Sequence, residues 1–373
     1  MAHMIEQRTT IPPSIDRHWH DSMVMADREG VDRASAPVTA VALIGLGEQT
    51  INALAKVPFT RPWMGGSDPV RNTGVSVTRA VLRAFLGFST SLPIDEFRSV
   101  EAVLDQVCET VSAPVVWARH VRRTSGELGG VPGDWYLPPT DPAATILYFH
   151  GGGYVGTSPA MYALFVSDLV RTTGCEVFVA DYRLAPEFPF PAGLSDATSV
   201  LVGAIAAGIP ARTLFVAGDS GGGGLASALM CVREMESLDP IAGLILVSPE
   251  VDLRLDTPSM AENASSDILP WNLPTTPYLH GADPGAACLS AIEQNVDTWP
   301  PTIFAFGADE MFRDAIRLLA ERLDAAGVDT TAIEASGMFH VYPIVMPWHP
   351  SARATMESIR SFVRLHLVGP TVR

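Results

Sequence analysis

The stretch Gly218-Asp219-Ser220-Gly221-Gly222 lies between an apolar run, Leu214-Phe215-Val216-Ala217, and a segment of small residues that predicts a helix over 224–236. Strand, G-x-S-x-G and helix in this order are typical of a nucleophile elbow, in which a serine sits on a very tight turn. Gly218 and Gly222 flank the serine because a side chain at either place would collide with the strand or the helix. An ordinary tight turn fits the same five residues, so the rest of the chain has to decide between the two interpretations.

The length and composition set the broad class. The 373 residues are enough for one large α/β domain with a cap, or for two domains. Because 47% of the residues are hydrophobic and only 18% are charged, a large buried core is possible. The formal net charge of −16 argues against a nucleic-acid partner, since phosphates demand a basic surface, and we attribute the charge to solubility.

The N-terminal segment and the cysteines bear on the cellular location. The first 35 residues lack the apolar core of a signal peptide, and the apolar run 38–46 is too short to span a bilayer, so we expect no strong membrane signal. Cys108, Cys175, Cys231 and Cys288 are widely scattered and form no CxxC pair, which suggests neither a zinc site nor a disulfide framework. We therefore expect free thiols and a cytoplasmic location.

From about residue 145 onward, strand and helix patterns alternate. The predicted strands cover 146–149, 177–180, 214–217, 244–247, 303–306 and 330–334, and the predicted helices cover 192–208, 224–236, 313–326 and 351–367. This alternation predicts an α/β fold with a doubly wound, mostly parallel sheet. Residues 1–110 carry helix-like runs at 77–87 and 95–108, which predict a helical N-terminal cap region before a main domain over 111–373. Residues 254–290, rich in Pro, Ser, Asn and Asp, are predicted to form an insertion between two strands.

A serine nucleophile needs a base, an acid that orients the base, and donors for the oxyanion. His150-Gly151-Gly152-Gly153-Tyr154 directly follows the predicted strand at 146–149. Successive glycines there allow backbone N–H groups to face a cavity, as in the HGGG oxyanion loop that accompanies a nucleophile elbow. We predict Gly151, Gly152 and Gly221 as the N–H donors, while His150 is expected to orient the loop. A merely flexible glycine loop is the alternative interpretation.

His340, in Gly337-Met338-Phe339-His340, follows the last predicted strand and is the predicted base. His349 is the one serious rival, and we expect it to be a surface histidine. The acid is expected after the penultimate strand, where Asp309 and Glu310 are adjacent. These two side chains cannot both point at His340, and a helix-capping role is the alternative for each. The residue pattern alone does not choose between them.

Together these motifs resemble the hormone-sensitive-lipase-like group of α/β-hydrolases, the bacterial carboxylesterases, over residues 135–367. The resemblance rests on HGGGY at 150–154, GDSGGG at 218–223, DYRLAPE at 181–187, FPA at 190–192 and SP at 248–249. It implies the α/β-hydrolase fold with a helical N-terminal cap. In this group the acid motif usually reads Asp-Pro-Leu-Arg-Asp, and ungapped alignment from Pro301 puts Glu310 at the first Asp. The resemblance thus implies Ser220, His340 and Glu310 as the catalytic triad, with Asp309 as runner-up.

The sequence also departs from the group's pattern. Gly221 stands where alanine is more usual, and Glu250 stands where an aromatic residue often follows Ser-Pro, so Glu250 either shapes a pocket or is a plain loop carboxylate. The resemblance implies a structural ion-pair network for Asp181, Arg183 and Glu187. Asp219 is expected to support the backbone of the elbow.

The expected activity is hydrolysis of short- to medium-chain acyl esters through an acyl-enzyme, with no metal or organic cofactor required. An amidase or lactonase on the same machinery and a non-catalytic ligand-binding protein on the same fold remain alternatives. A homodimer through the last strand and its helix is an expectation from the resemblance. The apolar cap residues Trp63, Phe85, Leu86 and Phe88 could line an acyl site or form the core of the cap.

Overall fold

One eight-stranded sheet carries the chain's main domain. The computed structural model describes residues 31–59, 69–270, 273 and 275–367. The strands are β1 (Arg122–Leu128), β2 (Val131–Leu137), β3 (Thr145–Phe149), β4 (Glu176–Ala180), β5 (Leu214–Asp219), β6 (Gly243–Val247), β7 (Thr302–Gly307) and β8 (Thr330–Ala335). Their order in the sheet is β1-β2-β4-β3-β5-β6-β7-β8. The pairs β1–β2 and β2–β4 are antiparallel and the others are parallel, which confirms the mostly parallel sheet.

The hairpin of β1 and β2 is a feature that the sequence reading missed. Strand β1 lies at the edge of the sheet, and six of its seven side chains, Arg122 to Glu127, are not buried. An edge strand of this kind lacks the apolar run or clean alternation by which strands are recognised. The remaining six strands agree with the predicted positions to within two residues at either end.

Helices precede the sheet, connect its parallel strands and close the chain. They are α1 (Ala36–Lys56), α2 (Pro69–Ser89), α3 (Ile94–Ala118), α4 (Ala163–Thr173), α5 (Ala192–Ala206), α6 (Ser220–Met235), α7 (Pro258–Glu262), α8 (Thr276–Leu279), α9 (Arg313–Ala325), α10 (Tyr342–Val345) and α11 (Pro350–Leu367). The predicted helices over 192–208, 313–326 and 351–367 are confirmed as α5, α9 and α11. Helix α6 begins at Ser220, four residues earlier than predicted, because the tight turn passes directly into the helix despite its run of glycines.

The central strands of the sheet are buried on both faces because they alternate apolar side chains between two cores. In β3, Leu147 and Phe149 pack into the core formed with α5, α6 and α9, while Ile146 and Tyr148 pack into the core formed with α4 and α11. Every residue of β3 is buried. A strand covered by helices on both faces reads as a continuous apolar run, which explains why these strands were recognisable in the sequence.

Helices α1, α2 and α3 form the N-terminal region, which confirms its helical character within the described residues. Helix α3 continues through residue 110, so no element ends at the expected division between residues 1–110 and 111–373. That division remains a prediction. Phe88 packs against Gly45 of α1, and Leu86 packs against the cores of the main domain, both of which agree with a structural role. Trp63 lies outside the described residues.

The insertion (residues 254–290) lies between β6 and β7, as expected, and contains α7 and α8. A disulfide joins Cys288 of this insertion to Cys231 of α6, with 5.7 Å between the two Cα atoms. The expectation of four free thiols is therefore wrong for this pair, since residues 57 positions apart are brought together only by the tertiary fold. Cys108 and Cys175 are free.

Helix α1 is longer than the apolar run that the sequence reading considered. It has 21 residues, and by length and composition it alone among the described helices could cross a bilayer. Only about a tenth of its most apolar window is buried, and Val41, Ile44 and Ile51 are each about 70% exposed. The same test is passed by core helices of soluble proteins and by signal sequences, so α1 carries no membrane assignment.

Candidate active site

Ser220 lies on the predicted tight turn, between the last residue of β5 and the first turn of α6. Its φ of +51° is a left-handed conformation that non-glycine residues rarely adopt, as expected for a strained nucleophile elbow. A Cβ on Gly218 would stand 2.4 Å from the carbonyl oxygen of Gly222, and a Cβ on Gly222 would stand 2.1 Å from that of Phe149. This confirms the prediction that a side chain at either position would collide with neighbouring backbone.

His340 is brought to Ser220 from 120 positions further along the chain. Its Nε2 atom lies 2.9 Å from Ser220 Oγ, and the side chain is only 2% exposed. His340 belongs to the base loop (residues 336–341), which follows β8, and its ring makes a T-shaped contact with the Phe312 ring at 5.1 Å. Burial lowers the pKa of His340 to about 3, so the imidazole is neutral at neutral pH, while the same burial opposes its protonation.

The two candidate acids occupy different environments in the acid loop (residues 308–312), which follows β7. Glu310 is fully buried, and its Oε2 accepts hydrogen bonds from Ser248 Oγ at 2.7 Å and from the Gly307 N–H at 2.9 Å. Burial raises the pKa of Glu310 well above its usual range. The side chain of Asp309 is 37% exposed and lies 3.8 Å from the guanidinium of Arg79.

Glu310 and His340 each keep one unused polar atom. Among the described residues, Glu310 Oε1 and His340 Nδ1 are buried and have no hydrogen-bond partner. Ser248 connects the two loops, since its hydroxyl donates to Glu310 and accepts from the Val341 N–H at 2.9 Å. In the sequence, Ser248 is marked only by the Ser-Pro match and by its position at the end of a central strand.

The prediction that Gly151 is an oxyanion donor is wrong. The Gly151 N–H donates to Tyr162 Oη at 2.9 Å and to Asp219 Oδ1 at 3.0 Å, so it points away from the serine. Asp219 also accepts hydrogen bonds from Tyr148 Oη at 2.7 Å and Tyr162 Oη at 2.8 Å. Its expected supporting role is confirmed in a specific form, because this carboxylate holds the start of the glycine loop (residues 150–157) against the elbow.

The second half of the glycine loop lies over the serine turn. A Cβ on Gly221 would stand 3.0 Å from the backbone nitrogen of Tyr154 and 3.2 Å from that of Gly153. Gly152 has a φ of +114°, and its carbonyl oxygen accepts from the Val155 and Gly156 N–H groups, which turns the loop sharply. The backbone of Gly153 thus lies beside Gly221, the residue after the serine. Three consecutive glycines indicate the loop in the sequence, but they do not show which of its N–H groups already donate hydrogen bonds to other residues.

His150 orients the glycine loop, as expected. Its Nδ1 atom lies 3.0 Å from the Gly151 carbonyl oxygen and 2.8 Å from Thr157 Oγ1, and its ring stacks on Tyr182 at 4.5 Å. Burial lowers the pKa of His150 to about 4. His349 was expected at the surface and is instead only 8% exposed; its Nδ1 accepts the Ser351 N–H at the start of α11.

Arg183 and Glu187 of the predicted motifs form ion pairs, and Glu250 lies close to the serine. The Arg183 guanidinium pairs with the buried Asp196 carboxylate at 2.7 Å, and Glu187 pairs with Arg98 of α3 at 2.6 Å. Glu250 is buried beside the elbow, where its N–H donates to the Ser220 carbonyl oxygen at 2.9 Å. Burial raises the pKa of Glu250 to about 8.

Comparisons with known proteins agree with this geometry. A family model described as alpha/beta hydrolase fold matches residues 146–344. An acetyl-hydrolase from Streptomyces hygroscopicus is 32% identical over 257 residues, covering 64% of this chain and 85% of that protein. The esterase LipI from Mycobacterium tuberculosis is 33% identical over 303 residues, covering 74% of this chain and 90% of that protein. A solved hormone-sensitive lipase from a metagenome library matches with a TM-score of 0.68 and 30% identity, covering 76% of this chain and 99% of that one.

The matched family region contains the glycine loop, the serine turn, the acid loop and the base loop. The relatives are covered over most of their own length, and the structural match has the same fold at 30% identity. The chain therefore belongs to the α/β-hydrolase family, within its hormone-sensitive-lipase-like group.

Proposed function

We propose that this chain is a serine hydrolase of carboxylic esters. The observation that carries the proposal is the 2.9 Å contact between Ser220 Oγ and His340 Nε2, on a left-handed turn beside a glycine loop. A serine hydroxyl is a poor nucleophile unless a base lies within hydrogen-bond reach, and here the base is neutral and buried. The names of the relatives, which include acetyl-hydrolase, esterase and carboxylesterase, support the same reaction class.

In the proposed reaction, Ser220 Oγ attacks the ester carbonyl carbon while its proton passes to His340 Nε2. The tetrahedral intermediate then collapses, the carbon–oxygen bond to the leaving group breaks, and the imidazolium protonates the leaving oxygen. The alcohol departs, and the acyl group stays bonded to Ser220 Oγ. Water enters, gives a proton to His340 and attacks the acyl carbon. The carboxylic acid leaves, and the serine recovers its proton from the imidazolium.

Glu310 is the proposed acid of the triad. Its Oε2 is fixed by Ser248 and Gly307, so Oε1 is the atom available to accept the His340 Nδ1–H. A bond between these two atoms would hold the histidine with Nε2 unprotonated toward the serine and would stabilise the imidazolium when it forms. The two donors on Oε2 favour the ionised carboxylate, in opposition to the burial that raises its pKa.

For the oxyanion, we propose the N–H groups of Gly152, Gly153 and Gly221. Gly153 replaces Gly151 in this set, because the Gly151 N–H is already bonded to Asp219 and Tyr162. Backbone N–H groups held by a rigid loop stabilise the developing negative charge without reorganisation. We propose short- to medium-chain acyl esters as substrates.

The Ser220→Ala variant tests the proposed function. We expect hydrolysis of a short-chain p-nitrophenyl ester to fall by roughly 10⁶-fold in kcat, the scale observed when a serine nucleophile is removed. Ser227→Ala, in the same helix and also buried, is the matched control and should keep wild-type activity, because among the described residues Ser227 Oγ bonds the Gly223 carbonyl alone. A fully active Ser220→Ala variant would overturn the proposal.

The alternatives give different results with the same protein. A non-catalytic ligand-binding protein should neither hydrolyse the ester nor become labelled at Ser220 by an organophosphate. An amidase or lactonase should be labelled but should turn over anilides or lactones faster than esters of the same acyl group. A panel of esters with increasing acyl length then tests the proposed substrate class.

A further inference from the structure

Asp267, in the insertion, bridges the acid loop and the base loop. Its carboxylate is fully buried, and within the described part of the chain it accepts three hydrogen bonds, each from a backbone N–H group. Oδ1 accepts from the Ile268 N–H at 2.7 Å and from the His340 N–H at 3.0 Å. Oδ2 accepts from the Met311 N–H at 2.7 Å. One side chain therefore holds the backbone of the proposed base and the backbone next to the proposed acid.

This bridge runs beside the one made by Ser248. Ser248 connects the Glu310 side chain to the Val341 N–H, while Asp267 connects the Met311 N–H to the His340 N–H. The two loops are thus joined at two adjacent pairs of positions. Because two bridges restrict rotation between the loops as well as separation, they fix the direction in which the proposed acid meets the proposed base.

Burial and the neighbouring groups have opposite effects on the pKa of Asp267. Burial raises the pKa of Asp267 to about 6, and the three N–H donors and the Arg79 guanidinium counter that rise. The Asp267 charge in turn adds to the burial that raises the pKa of Glu310. From α2, Arg79 lies beside Asp309, and Arg83 donates to the Asp267 carbonyl oxygen at 2.7 Å. A second carboxylate beside Glu310 carries an electrostatic cost, and the three hydrogen bonds that Asp267 accepts, two of them from the two loops, offset that cost.

We propose that Asp267 is a positioning residue for the reaction proposed above. Its carboxylate holds the acid loop and the base loop in the relative orientation that lets Glu310 support His340. It contacts backbone atoms of the machinery and acts through His340. The inference rests on the proposed function, since it concerns the same serine, histidine and acid.

The test compares Asp267→Ala with Asp267→Asn. We expect Asp267→Ala to lower kcat by roughly 10- to 100-fold, because a displacement of about 1 Å at a reacting group costs on the order of 100-fold. KM should stay within about threefold, because Asp267 does not hold substrate. Asp267→Asn keeps an acceptor for the His340 N–H but presents an amide N–H₂ to the Met311 N–H. Its kcat should therefore lie between those of the wild type and Asp267→Ala.

The pH profile of kcat/KM separates positioning from general loosening. The acid limb of this profile reports the pKa of the catalytic base in the free enzyme. When Glu310 no longer supports the imidazolium, the pKa of His340 falls and the acid limb moves to lower pH. Both variants remove the Asp267 charge. A larger shift of the acid limb in Asp267→Ala than in Asp267→Asn therefore reports the loss of the hydrogen bonds that join the two loops.

Ser259→Ala is the matched control. Ser259 ties the same insertion to the same side of the site, donating to the Met311 carbonyl at 2.7 Å and accepting from the Asp314 N–H at 3.1 Å, but its bonds do not reach the base loop. We expect kcat within about threefold of wild type and an unmoved acid limb. An equal loss of kcat in Ser259→Ala and Asp267→Ala would overturn the positioning role in favour of plain loosening of the insertion.

Two further outcomes are decisive. Wild-type kcat and pH profile in both Asp267 variants would overturn the inference, even where Ser220→Ala is inactive and the proposed function therefore stands. If Asp267→Ala does not fold, Asp267→Asn decides the question. A lowered kcat at a wild-type thermal midpoint supports positioning, and an unchanged kcat excludes it. An active Ser220→Ala variant would instead remove the proposed function, so the two failures are distinguishable.

Discussion

At the scale of single residues, Glu310 and Asp309 are neighbours in sequence but lie in opposite environments. Glu310 is buried and held by Ser248 and Gly307, whereas Asp309 is partly exposed and faces Arg79. We expect Glu310→Gln to lower kcat by roughly 10³- to 10⁴-fold, the scale for losing the acid of a serine triad. Steady-state kinetics on a p-nitrophenyl ester measures this loss, and Glu310→Asp should recover part of the activity because it restores a carboxylate.

Asp309→Asn is the control for that prediction. A single partly exposed ion pair contributes about 0–1 kcal/mol, so this variant should keep kcat within about twofold of wild type and lose little stability. A large loss in Asp309→Asn together with an active Glu310→Gln variant would show that the acid assignment is reversed.

At the scale of elements, the sequence predicted those features that depend on local patterns. The elbow was recognisable from its local motif, in which the collision at Gly218 is set by the turn itself, while the one at Gly222 involves the end of β3. Strands covered on both faces were recognisable as apolar runs, while the polar edge strand β1 was not. The roles of Gly151 and Asp267 depend on contacts with residues at least 44 positions away as well as on nearby ones, and no local pattern encodes such contacts.

The disulfide cross-links the insertion to α6, the helix that begins at Ser220. It closes a span of 57 residues, for which chain entropy gives at most about 4 kcal/mol of stabilisation. We expect Cys231→Ser/Cys288→Ser to unfold several degrees below the wild type in differential scanning calorimetry. Reductant should lower the wild-type midpoint toward that of the variant.

Cys108→Ser is the matched control for the disulfide, since Cys108 is a free, half-buried thiol. Its midpoint should stay near that of the wild type and should respond to reductant in the same way. A wild-type midpoint that reductant does not change would contradict a stabilising role for the bond.

At the scale of the whole molecule, the N-terminal region is attached to the loops that carry the proposed acid and base. Val75 of α2 packs with Ile268, Met338 and Phe339 in one buried cluster. Arg79 lies over the Phe339 ring at 5.3 Å. The N-terminal region therefore contacts the base loop and the insertion directly.

This attachment leads to a prediction for the double variant Arg79→Met/Arg83→Met. It removes the hydrogen bond from Arg83 to the Asp267 carbonyl and the guanidinium beside Asp309, while methionine keeps apolar bulk over Phe339. Since a hydrogen bond from a charged donor contributes about 1.5–3 kcal/mol, we expect a lower thermal midpoint together with a severalfold lower kcat. Arg317→Met, which breaks a 2.6 Å surface pair with Glu334, is the control and should change neither quantity appreciably. If the double variant loses stability but keeps the wild-type kcat, α2 stabilises the fold without positioning the loops. If it matches Arg317→Met in both measurements, the contacts of Arg79 and Arg83 contribute nothing to stability or to kcat.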